Sequence, residues 1–141
     1  MIYSENEVMQ YVKEQDVKFI RLAFCDAFGN QKNVSIMPDG LERAFESGIG
    51  IDASAVAGFD TGVYSDLFLK PDPTTLSVLP WRPDHGRVVR MYCSVHHPDG
   101  TVFEADSRSL LKRAVRFAMD KGYRFSFGAE LEFYLFKTDE N

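Results

Sequence analysis

The chain has 141 residues, 45% of them hydrophobic and 26% charged, with a formal net charge of −5. Twelve Phe, six Tyr and one Trp can fill a core, which excludes a disordered chain, and no apolar run approaches the ~20 residues of a membrane-spanning helix. The mild acid excess and the absence of a Lys/Arg-rich segment argue against a general nucleic-acid binder, and the opening MIYSENEVMQ lacks the basic and apolar regions of a secretory signal.

The first predicted element is a helix over 4–15. Ser4-Glu5-Asn6-Glu7 spells a capping box, and Val8, Tyr11 and Val12 form a thin apolar stripe suited to a surface helix. A strand follows over 18–25, where Ile20, Leu22 and Phe24 alternate with Phe19, Arg21 and Ala23. Asp26-Ala27-Phe28-Gly29-Asn30 is turn chemistry, so 31–37 reads as the returning strand of a hairpin. Asp39 is then placed to cap a short helix over 41–47 that ends at Gly48. Residues 48–62, with four Gly, read as a loop. Three strands are predicted over 66–70, 75–80 and 87–95, separated by Pro- and Asp-rich turns. Ser107 is placed to cap a strong helix over 108–121 with a broad apolar face, and the aromatic, alternating run 123–136 reads as a strand covered on both faces. Together these elements give an α+β chain. The unmet need to cover that last strand suggests a piece of a longer protein.

The two cysteines, Cys25 and Cys93, lack zinc-site spacing and read as reduced thiols. Glu130 and Glu132 project from one face of the predicted strand with Cα atoms ~6.5–7 Å apart. Two carboxylates on an apolar strand resist joint ionisation unless a cation is near, and all-oxygen ligation suits Mg²⁺ or Mn²⁺. The alternative for the pair is a polar stripe facing water. Asp52, a lone acid among small residues, can reach a ligand or a neighbouring chain, or can simply make a turn. Asp66, Asp72 and Asp106 read as caps or Asx-turns, and His96 and His97 as exposed turn residues. Neither a P-loop nor a nucleophile elbow is present.

Five segments in order resemble the N-terminal region of the glutamine synthetase family. They are FIRLAFCDAFGNQKNVSI, IDASAVAGF (the family's F-D-G-S-S-x-x-G-F loop), SDLFLKPDPTTLSVLPW, Asp99-Gly100 with ADSRSLLKRA, and GAELEFYLF (the family's G-x-E-x-E-F-F-L-F strand). The resemblance implies a β-grasp N-terminal domain over 1–103 and the truncated start of the catalytic domain over 104–141. It implies ATP-dependent ligation of ammonia to glutamate through γ-glutamyl phosphate. Glu130 and Glu132 map onto metal-binding glutamates for Mg²⁺ or Mn²⁺, and Asp52 onto the acid of a neighbouring subunit's ammonium site. ATP, glutamate, ammonium and adjacent identical subunits in a ring oligomer are the implied partners, in the cytoplasm, with no nucleic acid or membrane among them. The rest of the catalytic apparatus lies downstream in the family, so the isolated chain is expected to be inactive. The departures from the pattern that matter are Ala53 for a Gly, Ala55 for the second Ser, and Ser107 for the Pro of D-P-R. The first two leave open a related γ-glutamyl–amine ligase. A standalone β-grasp module that binds full-length subunits without catalysis also stays open.

Overall fold

The structure, a computed structural model, describes residues 2–59, 66–81 and 86–137. Helix α1 spans Glu5–Glu14, and the capping box forms as the sequence specifies. The Ser4 hydroxyl accepts from the Glu7 amide while the Glu7 carboxylate takes the Ser4 amide at 2.7 Å. Its stripe buries Val8 and Val12. Strand β1 (Val17–Cys25) turns into β2 (Gln31–Ile36), an antiparallel hairpin with Ile20 opposite Ile36 and Cys25 opposite Gln31.

Asp39 does not cap the next helix. Pro38–Gly40 forms its own 3₁₀ turn, and α2 (Leu41–Glu46) starts from Gly40 with no side-chain cap. Proline fixes φ for such a tight turn, and this places Asp39 inside the turn instead of before the helix. The predicted loop over 48–62 is also corrected, because its first part is strand β3 (Ile49–Asp52), paired antiparallel with β4 (Asp66–Pro71). Cross-strand bonding outweighs the poor strand propensity of Gly50. Strands β5 (Ser77–Leu79) and β6 (Arg87–His96) complete the sheet.

Strand β6 is its centre. One edge of β6 runs parallel to β1, with Val89 opposite Ile20, and the other edge is shared by β5 and then β4, both antiparallel. The order is β2-β1-β6-β4-β3, with β5 added beside β6. Along β6 the odd positions Val89, Met91, Cys93 and Val95 are buried, while Arg90, Tyr92, Ser94 and His96 are half-buried. The buried row joins Ile20, Leu22, Phe24, Leu67, Leu69 and residues of α1 and α2 in one core. Strict period-2 burial on the central strand is what a sheet covered on one face by two helices requires.

Helix α3 spans Ser107–Asp120 and is capped by Asp106, not by Ser107: the Asp106 carboxylate accepts from the Ser109 amide at 3.1 Å. No residue of α3 is buried, and the apolar face read from the sequence is open, with Leu111 63% exposed. The strand expected over 123–136 does not form. Residues 123–137 carry no regular secondary structure and are exposed. Alternation marks a strand only where a neighbour offers unpaired amides and carbonyls, and no described strand pairs with this segment. No helix among the described residues is long and apolar enough to cross a membrane.

Candidate functional site

Asp52 is the last residue of β3, directly opposite Asp66 in the β3–β4 register, and its side chain is exposed. One carboxylate oxygen, Oδ1, accepts from the Ser54 amide at 2.9 Å and the Ser54 hydroxyl at 2.7 Å. Those bonds start a 3₁₀ turn over Ala53–Ala55. The turn-maker anticipated from the sequence is therefore real, and it also fixes the carboxylate. The facing Asp66 is a like charge across the ladder, an arrangement that costs stability and raises the attraction of the spot for cations.

The Asp52 loop stands on apolar feet. Ala53, Val56 and Phe59 are buried, and the Phe59 ring meets Phe103 edge-on at 4.9 Å and lies 6.1 Å from Phe24. The loop also leans on the β1–β2 turn, where the Ala27 amide donates to the Ala57 carbonyl at 3.2 Å. Asp26 holds that turn rigid. It is buried, and its Oδ1 accepts from the amides of Phe28 at 2.9 Å and Asn30 at 2.8 Å, while Oδ2 takes the Asn30 side chain at 3.0 Å. Burial opposes its charge. The bonds from Asn30 and Phe28, with Lys32 nearby, outweigh that and hold the carboxyl below the usual carboxylate range. The turn chemistry of 26–30 is legible in the sequence, but its contact with the Asp52 loop is not.

Glu130 and Glu132 lie in the exposed, irregular segment after α3. No group of three or more His, Cys, Asp or Glu side chains that could hold a metal ion occurs among the described residues. The structure thus gathers neither the two glutamates nor Asp52 into a common centre.

Other expectations resolve individually. Asp72 starts a 3₁₀ turn over Pro73–Thr75, and Asp106 caps α3, as their positions suggest. The two histidines are not exposed turn residues. His96 ends β6 half-buried, where burial lowers its pKa, and His97 packs edge-on against Phe103 and bonds Glu104 at 3.0 Å. Histidine's flat, partly apolar ring suits such half-buried positions. Both cysteines are free; Cys25 is partly exposed, whereas burial pushes the Cys93 thiol up to about 12. A thiol reagent at pH 8 is therefore expected to modify one thiol in the folded chain and both in denaturant. Rapid modification of both in the folded chain would contradict the burial of Cys93.

Residues 16–98 match the family described as glutamine synthetase, beta-Grasp domain, and residues 104–141 match glutamine synthetase, catalytic domain. The glutamine synthetase of Clostridium saccharobutylicum is 45% identical over 139 residues, covering 99% of this chain and 31% of the relative. That of Methanosarcina mazei is 44% identical over 138 residues, covering 98% of this chain and 31% of the relative. The chain thus spans about a third of the length of these relatives. Among solved structures, Plasmodium falciparum glutamine synthetase superposes with a TM-score of 0.76 at 21% identity, over 86% of this chain and 24% of that one. The structure of a GmaS/ADP complex gives 0.71 at 25% identity, over 80% of this chain and 25% of that one. The two family matches fall in chain order, the first covers more than half of the sequence, and the curated relatives run through nearly all of it: the chain belongs to the glutamine synthetase family.

Proposed function

We propose that residues 1–141 serve as the amino-terminal portion of a cytoplasmic glutamate–ammonia ligase. ATP phosphorylates the side-chain carboxylate of glutamate, and ammonia displaces the phosphate to give glutamine. The observation that carries this reading is the 45% identity to the Clostridium relative across 139 residues. The portion of the family's catalytic domain matched here is short, so turnover requires further chain, and the isolated protein is expected to form no glutamine.

Asp52 is the group we assign to ammonium. Its Oδ1 is held by Ser54, and its exposed carboxylate can attract the cation and accept the proton that ammonium gives up before attack. A carboxylate fixed beforehand loses little freedom when the cation binds. In the ring assembly that the family implies, Asp52 would act toward the neighbouring subunit's glutamate.

Glu130 and Glu132 are the groups we assign to a divalent ion. Their donor set is carboxylate oxygen alone, which fits Mg²⁺ or Mn²⁺ in kind. Two carboxylates supply a minority of the roughly six oxygens such an ion takes, so further ligands would have to come from elsewhere. When bound, the ion would offset the charge of the ATP phosphates and of the phosphoryl group in transfer.

A second reading, ligation of a larger amine, is favoured by one observation. Ala55 is exposed in the turn that Asp52 starts, where the family pattern carries a hydroxyl.

A chimera tests these assignments, with residues 1–141 replacing the matching segment of the Clostridium enzyme. It is expected to make glutamine from glutamate, ammonia and ATP. Glu130→Gln and Glu132→Gln should each lower the rate by about 100-fold or more, with higher divalent-ion demand. Full activity in both variants would remove the metal assignment. Faster use of methylamine than of ammonia would install the second reading.

A further inference from the structure

Helix α3 is attached to the sheet in an unusual way. None of its residues is buried, and beyond its first turn most are exposed. Its capping carboxylate, Asp106, is 1% exposed and anchors the start, with its amide donating to the Phe103 carbonyl at 3.1 Å. A cap nucleates a helix but does not set the direction in which it leaves the sheet. Packing normally sets that direction, and here the helix approaches only β1, briefly, while its apolar side chains Leu110, Leu111, Val115 and Met119 stay largely exposed.

Asp72 supplies the missing constraint. Its own position is fixed to the central strand: the Asp72 amide donates to the Tyr92 carbonyl at 2.8 Å, and the Tyr92 amide donates to the Thr75 hydroxyl at 2.9 Å. The Thr75 hydroxyl in turn donates to the Asp72 carbonyl at 2.7 Å. Carboxylate oxygen Oδ1 is occupied within the turn by the Thr74 amide at 3.1 Å and the Thr74 hydroxyl at 2.6 Å. The other oxygen, Oδ2, accepts from Arg108 and lies 3.5 Å from the Lys112 ammonium. Arg108 and Lys112 are four residues apart, on one face of α3, so one anion grips two successive turns.

The contact with Arg108 is sheltered, with side-chain exposures of 26% for Arg108 and 21% for Asp72, whereas Lys112 is 57% exposed. The Arg108 guanidinium also sits 5.9 Å from the Tyr92 ring centroid, a ring that Arg90 approaches at 4.6 Å. Burial opposes the Asp72 charge, but the bonds from Thr74 and Arg108 outweigh it and hold the carboxyl below its usual range. The anion therefore persists through neutral pH.

We propose that Asp72 is an electrostatic pivot: fixed to β6 through its turn, it clasps Arg108 and Lys112 and sets the direction in which α3 leaves the sheet. The clasp is a positioning device and is separate from the assignments to metal and ammonium. Arg108 is its main partner because its contact with Oδ2 is sheltered from water, and the more exposed Lys112 contributes less.

Amide residual dipolar couplings on the 141-residue chain test this. In the wild-type protein, residues 107–120 should share one alignment tensor with β1 and β6. Asp72→Asn keeps the acceptor for Thr74 but removes the charge. It should reduce the α3 couplings by about half or more while helical chemical shifts persist, because the helix then averages over directions. Arg108→Gln should do the same, and Lys112→Gln should do less. Thr74→Ala, which weakens the turn but keeps the carboxylate and both cations, should leave α3 aligned. Unchanged couplings in both Asp72→Asn and Arg108→Gln would overturn the proposal. So would an equal loss in Thr74→Ala, or loss of the helical shifts themselves, since the charge would then maintain the helix and not its direction.

Discussion

Replacing Phe59 by Ala is expected to destabilise the protein by about 3–5 kcal/mol. The ring is fully buried between Phe24 of β1 and Phe103, the residue that begins the approach to α3. Truncation removes the transfer energy of a large apolar group and leaves a cavity that three separate chain segments cannot all collapse into. The edge-on contact with Phe103 adds about 0.5–1.5 kcal/mol beyond area alone. Domains of this kind have only about 5–15 kcal/mol in hand, so Tm should fall on the order of 15 °C or more. Phe59→Leu keeps most of the volume and should cost less than half as much. Denaturant unfolding of the three proteins, followed by circular dichroism, provides the check. A loss under about 1 kcal/mol for Phe59→Ala would mean that the ring is not a structural support of the Asp52 loop.

Local rules made the front of the chain legible. The Ser4–Glu7 capping box and the Asp26–Asn30 turn each use bonds between residues at most four apart, so the sequence carries the whole interaction. The same holds for Asp72 and Asp106 as turn and helix starters. Reading failed where the deciding partner is distant in sequence. Strand β3 contains Gly50 and is only four residues long, and it exists because Leu67, Phe68 and Leu69 offer it a ladder. Conversely, 123–136 has better strand chemistry than β3 but no described strand pairs with it. Strand propensity describes fit to a neighbour, and it cannot supply one.

The candidate site divides along the same line. Asp52 stands out in the sequence as an isolated acid among small residues, and the Asx-turn it makes was a foreseeable local bond. That it rests on Ala27, Phe24 and Phe103 was not foreseeable, because those contacts bridge up to 44 residues of chain. The Asp72 clasp on Arg108, 36 residues away, was invisible for the same reason. The metal assignment of Glu130 and Glu132 rests on the family motif alone, since their spacing by itself favours a solvated stripe.

Gly58→Ala is expected to cost about 2–4 kcal/mol, for two reasons that can be measured apart. Gly58 has φ +79°, in the left-handed region, where a side chain costs about 1–2 kcal/mol. A Cβ built there would also stand 2.3 Å from the Ala27 Cβ, far inside contact distance. Neither carbon can move without backbone displacement, because Ala27 is tied to Ala57 by its amide and held in place by the Asp26 turn. Ala27→Gly removes the colliding methyl but leaves the φ strain. In a double-mutant cycle the clash therefore appears as coupling of about 1 kcal/mol or more, with Gly58→Ala less harmful in the Ala27→Gly background. Residual destabilisation in the double variant then measures the strain. Additive effects would show that the loop and the hairpin turn yield freely to one another, and that Asp52 is not carried on a rigid mount. Coupling of the expected size would make the close approach of Gly58 to Ala27 the reason that an exposed carboxylate on a loop keeps one position, which the ammonium role proposed for Asp52 requires if the cation is to bind without first ordering the loop.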